Sequence, residues 1–156
     1  MSDYSTRKDD FRFRMRVRFH ECDGQQVVFN SRYGEYVDVA ALEFSRVLIG
    51  AATASEGGID WRLVKQEMQW KSPARFDDQV DICVRTVSVG NTSFTWSSHL
   101  YHLPSHVLLA QAETVYVLYD SQKDTKLAIS DTLRETLLQG APGILTDCSG
   151  TAASSY

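Results

Sequence analysis

Residues 19–33 read FHECDGQQVVFNSRY and lie between two different hydrophobic patterns. Before them, apolar residues alternate with four arginines over residues 11–19, which predicts a half-buried strand. After them, apolar residues recur three and four positions apart from residue 31 to residue 49, which predicts one long amphipathic helix. Asp23 therefore falls in the turn that leads from the strand to the start of the helix.

The position of Asp23 has a chemical consequence. The start of a helix offers unpaired backbone N–H groups and a partial positive charge, which together can hold a carbonyl oxygen that becomes anionic during attack. A nearby carboxylate supplies the base or the nucleophile. An Asp just before a helix is, however, more often a cap or turn residue, so position alone leaves both interpretations open.

The rest of the chain predicts a single sheet. Four further strand-like stretches cover residues 61–70, 79–89, 92–102 and 106–119. Short links join them, including turn signals at 90–91 and 103–105, so neighbouring strands should be antiparallel. A short helix is predicted from Ser130 to Leu138, with Gly140 as its stop. The order indicates an α+β fold in which one long helix lies on a five-stranded antiparallel sheet, and the uncovered sheet surface leads us to expect an oligomer.

Composition fits one globular domain. The chain has 156 residues, 43% hydrophobic and 23% charged, and a formal charge of −4, which argues against nucleic acid as the main partner. Its three cysteines are an odd number and lack metal-ligand spacing, so we expect neither a disulfide framework nor a metal site. A chain without disulfides fits a reducing compartment, so we expect a cytoplasmic protein. The first ten residues lack a signal-peptide core and no run is long enough to cross a membrane, so we expect no membrane partner. We expect the domain to span 1–145 and a flexible tail to span 146–156.

The four arginines of the first predicted strand allow two interpretations. They could gather the phosphates of an anionic ligand, or they could form a solvated or oligomer-facing strand surface.

The residues around Asp23 resemble a known family. Asp23 is followed by small and polar residues, the apolar pair Val27 and Val28, the aromatic Phe29, and Tyr33 inside the helix. Together with the segments SPARFDD at 72–78 and GNTSF at 90–94, this pattern is similar to that of the hotdog-fold thioesterases, in particular the 4-hydroxybenzoyl-CoA thioesterase and short-chain acyl-CoA thioesterase group. The resemblance runs from about residue 11 to about residue 119. It implies a hotdog fold, in which a five-stranded antiparallel sheet wraps around a long central helix.

The resemblance also implies an activity, namely hydrolysis of an acyl-CoA thioester. It makes Asp23 the catalytic carboxylate, as nucleophile or general base, and the backbone N–H of Asn30 the donor that polarises the thioester carbonyl. It implies a homodimer or homotetramer with active sites at the subunit interface, and no cofactor beyond the coenzyme A of the substrate. The substrate-binding residues that we expect are Val27, Phe29, Ser31, Tyr33, Lys71 and Arg75, with Arg85 as a further candidate for the CoA phosphates.

Two departures from the family pattern stand out. Gln26 and Asn30 occupy positions where related proteins often have Gly and a His or polar aromatic residue, and the hairpin at 90–92 lacks the basic residues of the hydroxybenzoyl-specific enzyme. One alternative is therefore a non-catalytic hotdog protein that binds acyl thioesters or assists assembly. A second is a hotdog dehydratase, which needs a His, but none of the histidines at 20, 99, 102 and 106 lies in the loop before the helix. No GxSxG segment supports a Ser nucleophile.

Overall fold

The computed structural model describes residues 3–50 and 60–150. The first half contains a short helix α1 (Tyr4–Arg7), strand β1 (Phe11–Arg16), a 3₁₀ turn (Phe19–Glu21) and the long helix α2 (Arg32–Ile49). The second half contains β2 (Asp60–Trp70), β3 (Gln79–Val89), β4 (Ser93–Leu103), β5 (Leu108–Asp120), β6 (Thr125–Lys126), α3 (Asp131–Gln139) and β7 (Leu145–Asp147). This order confirms the predicted α+β class, the long helix and the short helix.

The strands form one sheet in the order β2-β5-β4-β3-β1-β7, with β6 paired to β5. The five long strands pair antiparallel, as predicted, whereas β7 runs parallel to β1. Within residues 3–50 and 60–150 the sheet thus has seven strands rather than the five that we expected. The two additional strands, β6 and β7, have two and three residues, too few for a periodic pattern to reveal them.

Strand β7 also changes the expected boundary of the tail. Residues 145–147 pair with β1, the N–H of Cys148 donates to the carbonyl of Arg14, and Ser149 is buried. Residues 146–150 therefore belong to the domain. The rest of the predicted tail, 151–156, lies outside the described residues.

Helix α2 provides the centre of the core. Its stripe of buried side chains includes Tyr36, Val37, Ala40 and Phe44, spaced as the sequence predicts for one helical face. The ring of Phe44 lies 5.2 Å from that of Phe11 on β1 and 4.9 Å from that of Trp96 on β4, measured between centroids. The sheet therefore curves around one side of the helix, which fixes where the start of α2 lies.

The face of the sheet opposite α2 carries the arginines of β1. Asp81 on β3 is fully buried there, and its carboxylate accepts hydrogen bonds from Arg14 at 2.6 and 3.0 Å and from the hydroxyl of Tyr4 in α1 at 3.0 Å. Arg12 lies 3.6 Å from the same carboxylate. Arg16 donates to the carbonyls of Ser149 and Asp77. These arginines are thus held by partners within the chain, an arrangement that neither interpretation of the sequence anticipated.

Strand β1 is shorter than predicted. It ends at Arg16, and Phe19, which the alternating pattern placed on the buried face, is 74% exposed in the 3₁₀ turn. Val17 remains buried, so the strand pattern holds up to that residue. The turn redirects the chain toward Asp23.

None of the helices in residues 3–50 and 60–150 is long and apolar enough to span a bilayer.

Candidate active site

The segment from Cys22 to Val28 folds into a tight loop. Cys22 and Val28 form an antiparallel bridge, and the N–H of Asp23 donates to the carbonyl of Val27 at 2.9 Å. Gln26 at the tip has φ of +63°, in the left-handed region that glycine adopts most easily. This is the position where related proteins often carry Gly, so the loop keeps its shape here at some conformational cost.

The two oxygens of the Asp23 carboxylate have different surroundings. Oδ1 accepts hydrogen bonds from the backbone N–H groups of Gln25 at 2.8 Å and Val27 at 3.4 Å, which fixes the side chain in the loop. Oδ2 makes no hydrogen bond or ion pair with any of the described residues, and the side chain is only half-buried. One oxygen therefore orients the carboxylate, and the other remains available to a substrate or a water molecule.

Glu21, just before the loop, holds the loop in place through its hydrogen bonds. It is fully buried, and its carboxylate accepts from the backbone N–H of Arg18 at 2.7 Å and from the Arg18 guanidinium at 2.9 Å. Burial raises the pKa of Glu21, but these hydrogen bonds outweigh burial and hold that pKa below its usual value. The carbonyl of Glu21 accepts from the N–H of Phe29 at 3.0 Å, which ties both ends of the loop together.

The start of α2 lies directly after the loop. Among the described residues, no acceptor forms a hydrogen bond with the backbone N–H of Asn30 or of Ser31, whereas Arg32 donates to the carbonyl of Phe29 at 2.9 Å. Ser31 makes no side-chain cap. The pairing of Cys22 with Val28 puts Asp23 and Asn30 about three residue steps apart, on the order of 10 Å. An Asp side chain, a reacting carbonyl and one hydrogen bond together can bridge that gap.

Trp70, the last residue of β2, contacts this helix start. Its indole Nε1–H donates to the carbonyl oxygen of Asn30 at 3.3 Å, and the side chain is 52% exposed. The strand end that carries it is anchored, because the N–H groups of Lys71 and Ser72 both donate to the carbonyl of Leu109.

The segment after β2 forms the other side of the loop. The N–H of Val28 donates to the carbonyl of Ala74 at 2.9 Å, and Val27 pairs with Arg75. The hydroxyl of Tyr33 accepts from the N–H of Ala74 at 2.9 Å, and the Tyr33 ring is buried in the main core. Tyr33 thus holds the segment 72–78 against the helix and presents no surface to a ligand in the single chain.

The three basic candidates lie in different places. Arg75 is exposed beside the Asp23 loop. Its backbone N–H donates to the carboxylate of Asp78, and its guanidinium has no ion-pair partner among the described residues. Lys71 is exposed one residue beyond Trp70. Arg85 instead pairs with Asp10 at 3.3 Å and lies six residues along β3 from Gln79, about 20 Å away from the loop end of the strand. Arg75 and Lys71 therefore neighbour Asp23 and Asn30, and Arg85 does not.

Aromatic side chains are exposed around the loop. The rings of Phe19 and Phe76 meet edge to face, with centroids 5.7 Å apart. Phe29 and Trp70 are also about half exposed. Val27 is partly buried and Ser31 is exposed, so the expected substrate-binding residues other than Tyr33 and Arg85 lie at the surface around Asp23.

Three of the four histidines contact residues outside the loop from Cys22 to Val28, although Asp78, the partner of His102, belongs to the neighbouring segment 72–78. His99 lies on the sheet face opposite α2, where burial and the charge of Arg7 lower its pKa to about 4. His102 lies 3.5 Å from Asp78, and His106 stacks on Tyr4 at 4.1 Å. A volume of about 460 Å³ opens beside His99, lined by Arg7, Arg85 and Glu113 among others. This groove is on the far side of the sheet from Asp23, and Arg85 is the one expected site residue that lines it.

The sequence did not identify two residues of this site. Glu21 lies within the quoted stretch, two residues before Asp23, but nothing in the pattern shows that its carboxylate is buried. Trp70 ends a predicted strand, and nothing in its pattern indicates a hydrogen bond to a residue 40 positions earlier.

Comparisons with known proteins identify the family and the fold of the chain. A family model described as the thioesterase superfamily matches residues 25–109, a range that contains Asn30, Trp70 and Arg75 and begins two residues after Asp23. An Aquifex aeolicus (strain VF5) protein named "Putative esterase" is 25% identical over 114 residues, which cover 72% of this chain and 88% of that protein.

Two solved structures share the fold. The probable thioesterase YbaW from Escherichia coli has a TM-score of 0.71 and 23% identity, and the match covers 83% of this chain and 97% of that one. Slr0204 from Synechocystis, a 1,4-dihydroxy-2-naphthoyl-CoA thioesterase, has a TM-score of 0.73 and 18% identity, covering 81% and 95% of the two chains.

Proposed function

The chain belongs to the thioesterase superfamily, and we propose that it hydrolyses acyl-CoA thioesters with Asp23 as the reacting carboxylate and the start of α2 as the carbonyl-binding group. Membership makes it a thioester hydrolase. The observation that supports the specific proposal is the Asp23 carboxylate, with Oδ1 fixed by two backbone N–H groups and Oδ2 left without a hydrogen bond in the described residues. The N–H groups of Asn30 and Ser31 supply the donors.

The reaction can follow either of two routes. As a general base, Asp23 takes a proton from water while the water oxygen attacks the thioester carbon, the C–S bond breaks and the thiolate leaves. As a nucleophile, the Asp23 carboxylate displaces the thiolate to form an anhydride, which water then hydrolyses. In both routes negative charge develops on the carbonyl oxygen, where the N–H of Asn30 would stabilise it.

We propose a homodimer that places the site at an interface. Strand β2 pairs on one side only, with β5, so its other edge is free in the described chain. Leu63 and Val64 are exposed along β2, and Val39 and Leu42 are exposed on α2. A free edge beside exposed apolar side chains is the surface that strand pairing between two copies would cover. Because Trp70 ends this strand at the helix start, such pairing would bring the partner close to Asn30.

Arg75 and Lys71 are the proposed contacts for the CoA phosphates, since both are exposed next to the loop. The three cysteines are free thiols, which supports a reducing compartment such as the cytoplasm.

The proposal is tested by thiol release from short, long and aromatic acyl-CoA substrates. The aromatic acyl-CoA substrates are essential to this panel. Exposed aromatic residues surround Asp23, and one of the structural neighbours is a naphthoyl-CoA thioesterase. Release from at least one class is expected, and no release from any would refute the proposed substrate. A single turnover in H₂¹⁸O then tests for the nucleophilic route, because an anhydride hydrolysed at the Asp23 carbon releases a first molecule of acid without ¹⁸O and leaves ¹⁸O in the Asp23 carboxylate, which general-base catalysis cannot do.

A further inference from the structure

We infer that Trp70 is a positioning residue for the hydrolytic reaction, acting through the peptide group of Asn30. The inference rests on the proposed function of the helix start. Its basis is one contact, the hydrogen bond of 3.3 Å from the indole Nε1–H of Trp70 to the carbonyl oxygen of Asn30.

The contact acts on the amide groups that would hold the thioester carbonyl. The carbonyl of Asn30 and the N–H of Ser31 belong to one planar peptide group, and the N–H of Asn30 is separated from it by a single pair of backbone torsions. A donor that holds this carbonyl therefore restrains the direction of both N–H groups. It also polarises the peptide, which strengthens the Ser31 N–H as a donor.

The start of α2 needs such a restraint because it lacks the side-chain cap that usually fixes the first turn of a helix. Ser31 is the N-cap residue, yet its side chain accepts no hydrogen bond from the first turn. Neither Asn30 nor Ser31 uses its backbone N–H in a hydrogen bond with the described residues. The two N–H groups proposed to bind substrate therefore have no hydrogen-bond acceptor among the described residues. Trp70 donates to the carbonyl oxygen of Asn30 and so leaves both N–H groups available.

Trp70 is held firmly enough to do this. It pairs with Ala110 across β2 and β5, and the next two residues donate to the carbonyl of Leu109 at 2.8 and 3.1 Å. A site residue supported from a strand keeps its geometry better than one supported from a loop. About half of the surface of Trp70 is exposed, whereas a purely structural Trp would gain more by burial.

The test compares three replacements of Trp70. Trp70→Phe keeps an aromatic ring and removes the N–H. Site-specific incorporation of β-(3-benzothienyl)alanine keeps the size of indole and replaces the N–H by sulfur. Trp70→His retains a ring N–H, because the imidazole Nε2 overlies the indole Nε1 when the five-membered rings are superposed. The matched control is Trp61→Phe on the same strand, nine residues from Trp70 and about 30 Å away.

We expect the two variants without the N–H to lose about 10-fold in kcat with KM changed less than about 2-fold, since an indirect contact contributes less than a direct oxyanion donor. Trp70→His should recover to within about 3-fold of the parent kcat, and Trp61→Phe should not alter kcat. Thermal unfolding of each variant accompanies the kinetics.

Several results would overturn the inference. An unchanged kcat in the benzothienyl variant would show that the N–H is not needed. An increase in KM alone would assign Trp70 to substrate contact, and equal losses in the His and benzothienyl variants would assign it to packing. The Asp23→Asn variant in the same assay keeps the two questions apart. If that variant is inactive while the Trp70 variants are normal, the proposed function stands and this inference fails, whereas an active Asp23→Asn variant refutes the proposed function itself.

Discussion

At the scale of single residues, the site depends on how a buried carboxylate orders the loop that precedes the helix. Glu21 is fully buried and bonded twice to Arg18, and its carbonyl binds the N–H of Phe29. A buried ion of this kind stabilises the fold only while its hydrogen bonds are complete. Asp23 can then use one oxygen for the loop and keep the other for chemistry.

Glu21→Gln tests this role. At pH 7 we expect the substitution to lower the free energy of unfolding by about 1–3 kcal/mol, since hydrogen bonds to a charged partner are lost. The folded-state pKa of Glu21 is lowered, so its stabilisation is present above the unfolded-state pKa and disappears as pH falls through the folded-state value. The difference between the two proteins in urea unfolding should therefore shrink in acid.

Glu35→Gln is the matched control for that measurement. Glu35 pairs with Arg32 at the same i,i+3 spacing, but its side chain is 56% exposed, so its removal should cost less than about 0.5 kcal/mol. Equal effects of the two substitutions at pH 7 would show that the burial of Glu21 contributes nothing to stability.

Gln26→Gly tests the conformation of the loop tip. Because Gln26 has φ of +63°, replacing it with Gly should raise the free energy of unfolding by up to about 1 kcal/mol. Gln25→Gly, at the neighbouring position outside the left-handed region, should instead lower it slightly. Chemical denaturation of both variants checks the prediction, which fails if Gly destabilises both positions alike.

At the scale of secondary-structure elements, the long strands and helix α2 were predictable because each repeats its pattern over many residues. Residues 31–49 and the long strands after them were identified within one or two positions of their observed ends. Helix α1 and strands β6 and β7 were not predicted, since elements of two to four residues are too short to show a hydrophobic period. The end of β1 was also missed, because Phe19 continues the alternation in sequence while the 3₁₀ turn exposes it.

The ion pairs of β1 could not be derived from pattern. Arg14 and its partner Asp81 are separated by 67 residues and meet only when β1 pairs with β3. Asp81 lies within an otherwise apolar strand stretch, and only the fold shows that it faces the arginines rather than the core.

Asp81→Asn should therefore destabilise the sheet strongly. Removing the fully buried carboxylate leaves Arg12 without its charged partner and Arg14 with only Asp147, 4.0 Å away, and breaking a buried pair in this way costs about 3–5 kcal/mol. Asp77→Asn, whose side chain is 63% exposed beside Arg16, should cost under about 1 kcal/mol. Urea unfolding of both variants at neutral pH is the measurement, and a loss below about 1 kcal/mol for Asp81→Asn would contradict this account of β1.

At the scale of the whole molecule, the site depends on a surface that the single chain leaves open. Phe29, Trp70 and the β2 edge are exposed together at the start of α2. The sequence predicted the fold and the position of Asp23 relative to the helix, and the second subunit stays a prediction. It could not predict Trp70 or Glu21, because their roles come from contacts between distant or irregular segments.

Val64→Lys tests the proposed dimer. A charge on a free strand edge opposes pairing with a second copy, so the dimer dissociation constant should rise at least about 10-fold and thioesterase activity should fall with the dimer population. Val87→Lys is the control, since Val87 is similarly exposed at a bulge of β3, away from the β2 edge. Light scattering after size exclusion measures the assembly. A dimer unaffected by Val64→Lys would place the interface elsewhere.

The most direct test of the account is kcat/KM for Asp23→Asn on the best acyl-CoA substrate, measured beside the parent and Asp77→Asn. Asparagine keeps the side-chain oxygen that binds the N–H of Gln25, so the loop should fold normally. Without a carboxylate, neither attack nor proton removal can proceed, and we predict a loss of at least about 100-fold, with Asp77→Asn unchanged. Activity of the folded Asp23→Asn protein within about 3-fold of the parent would contradict the account.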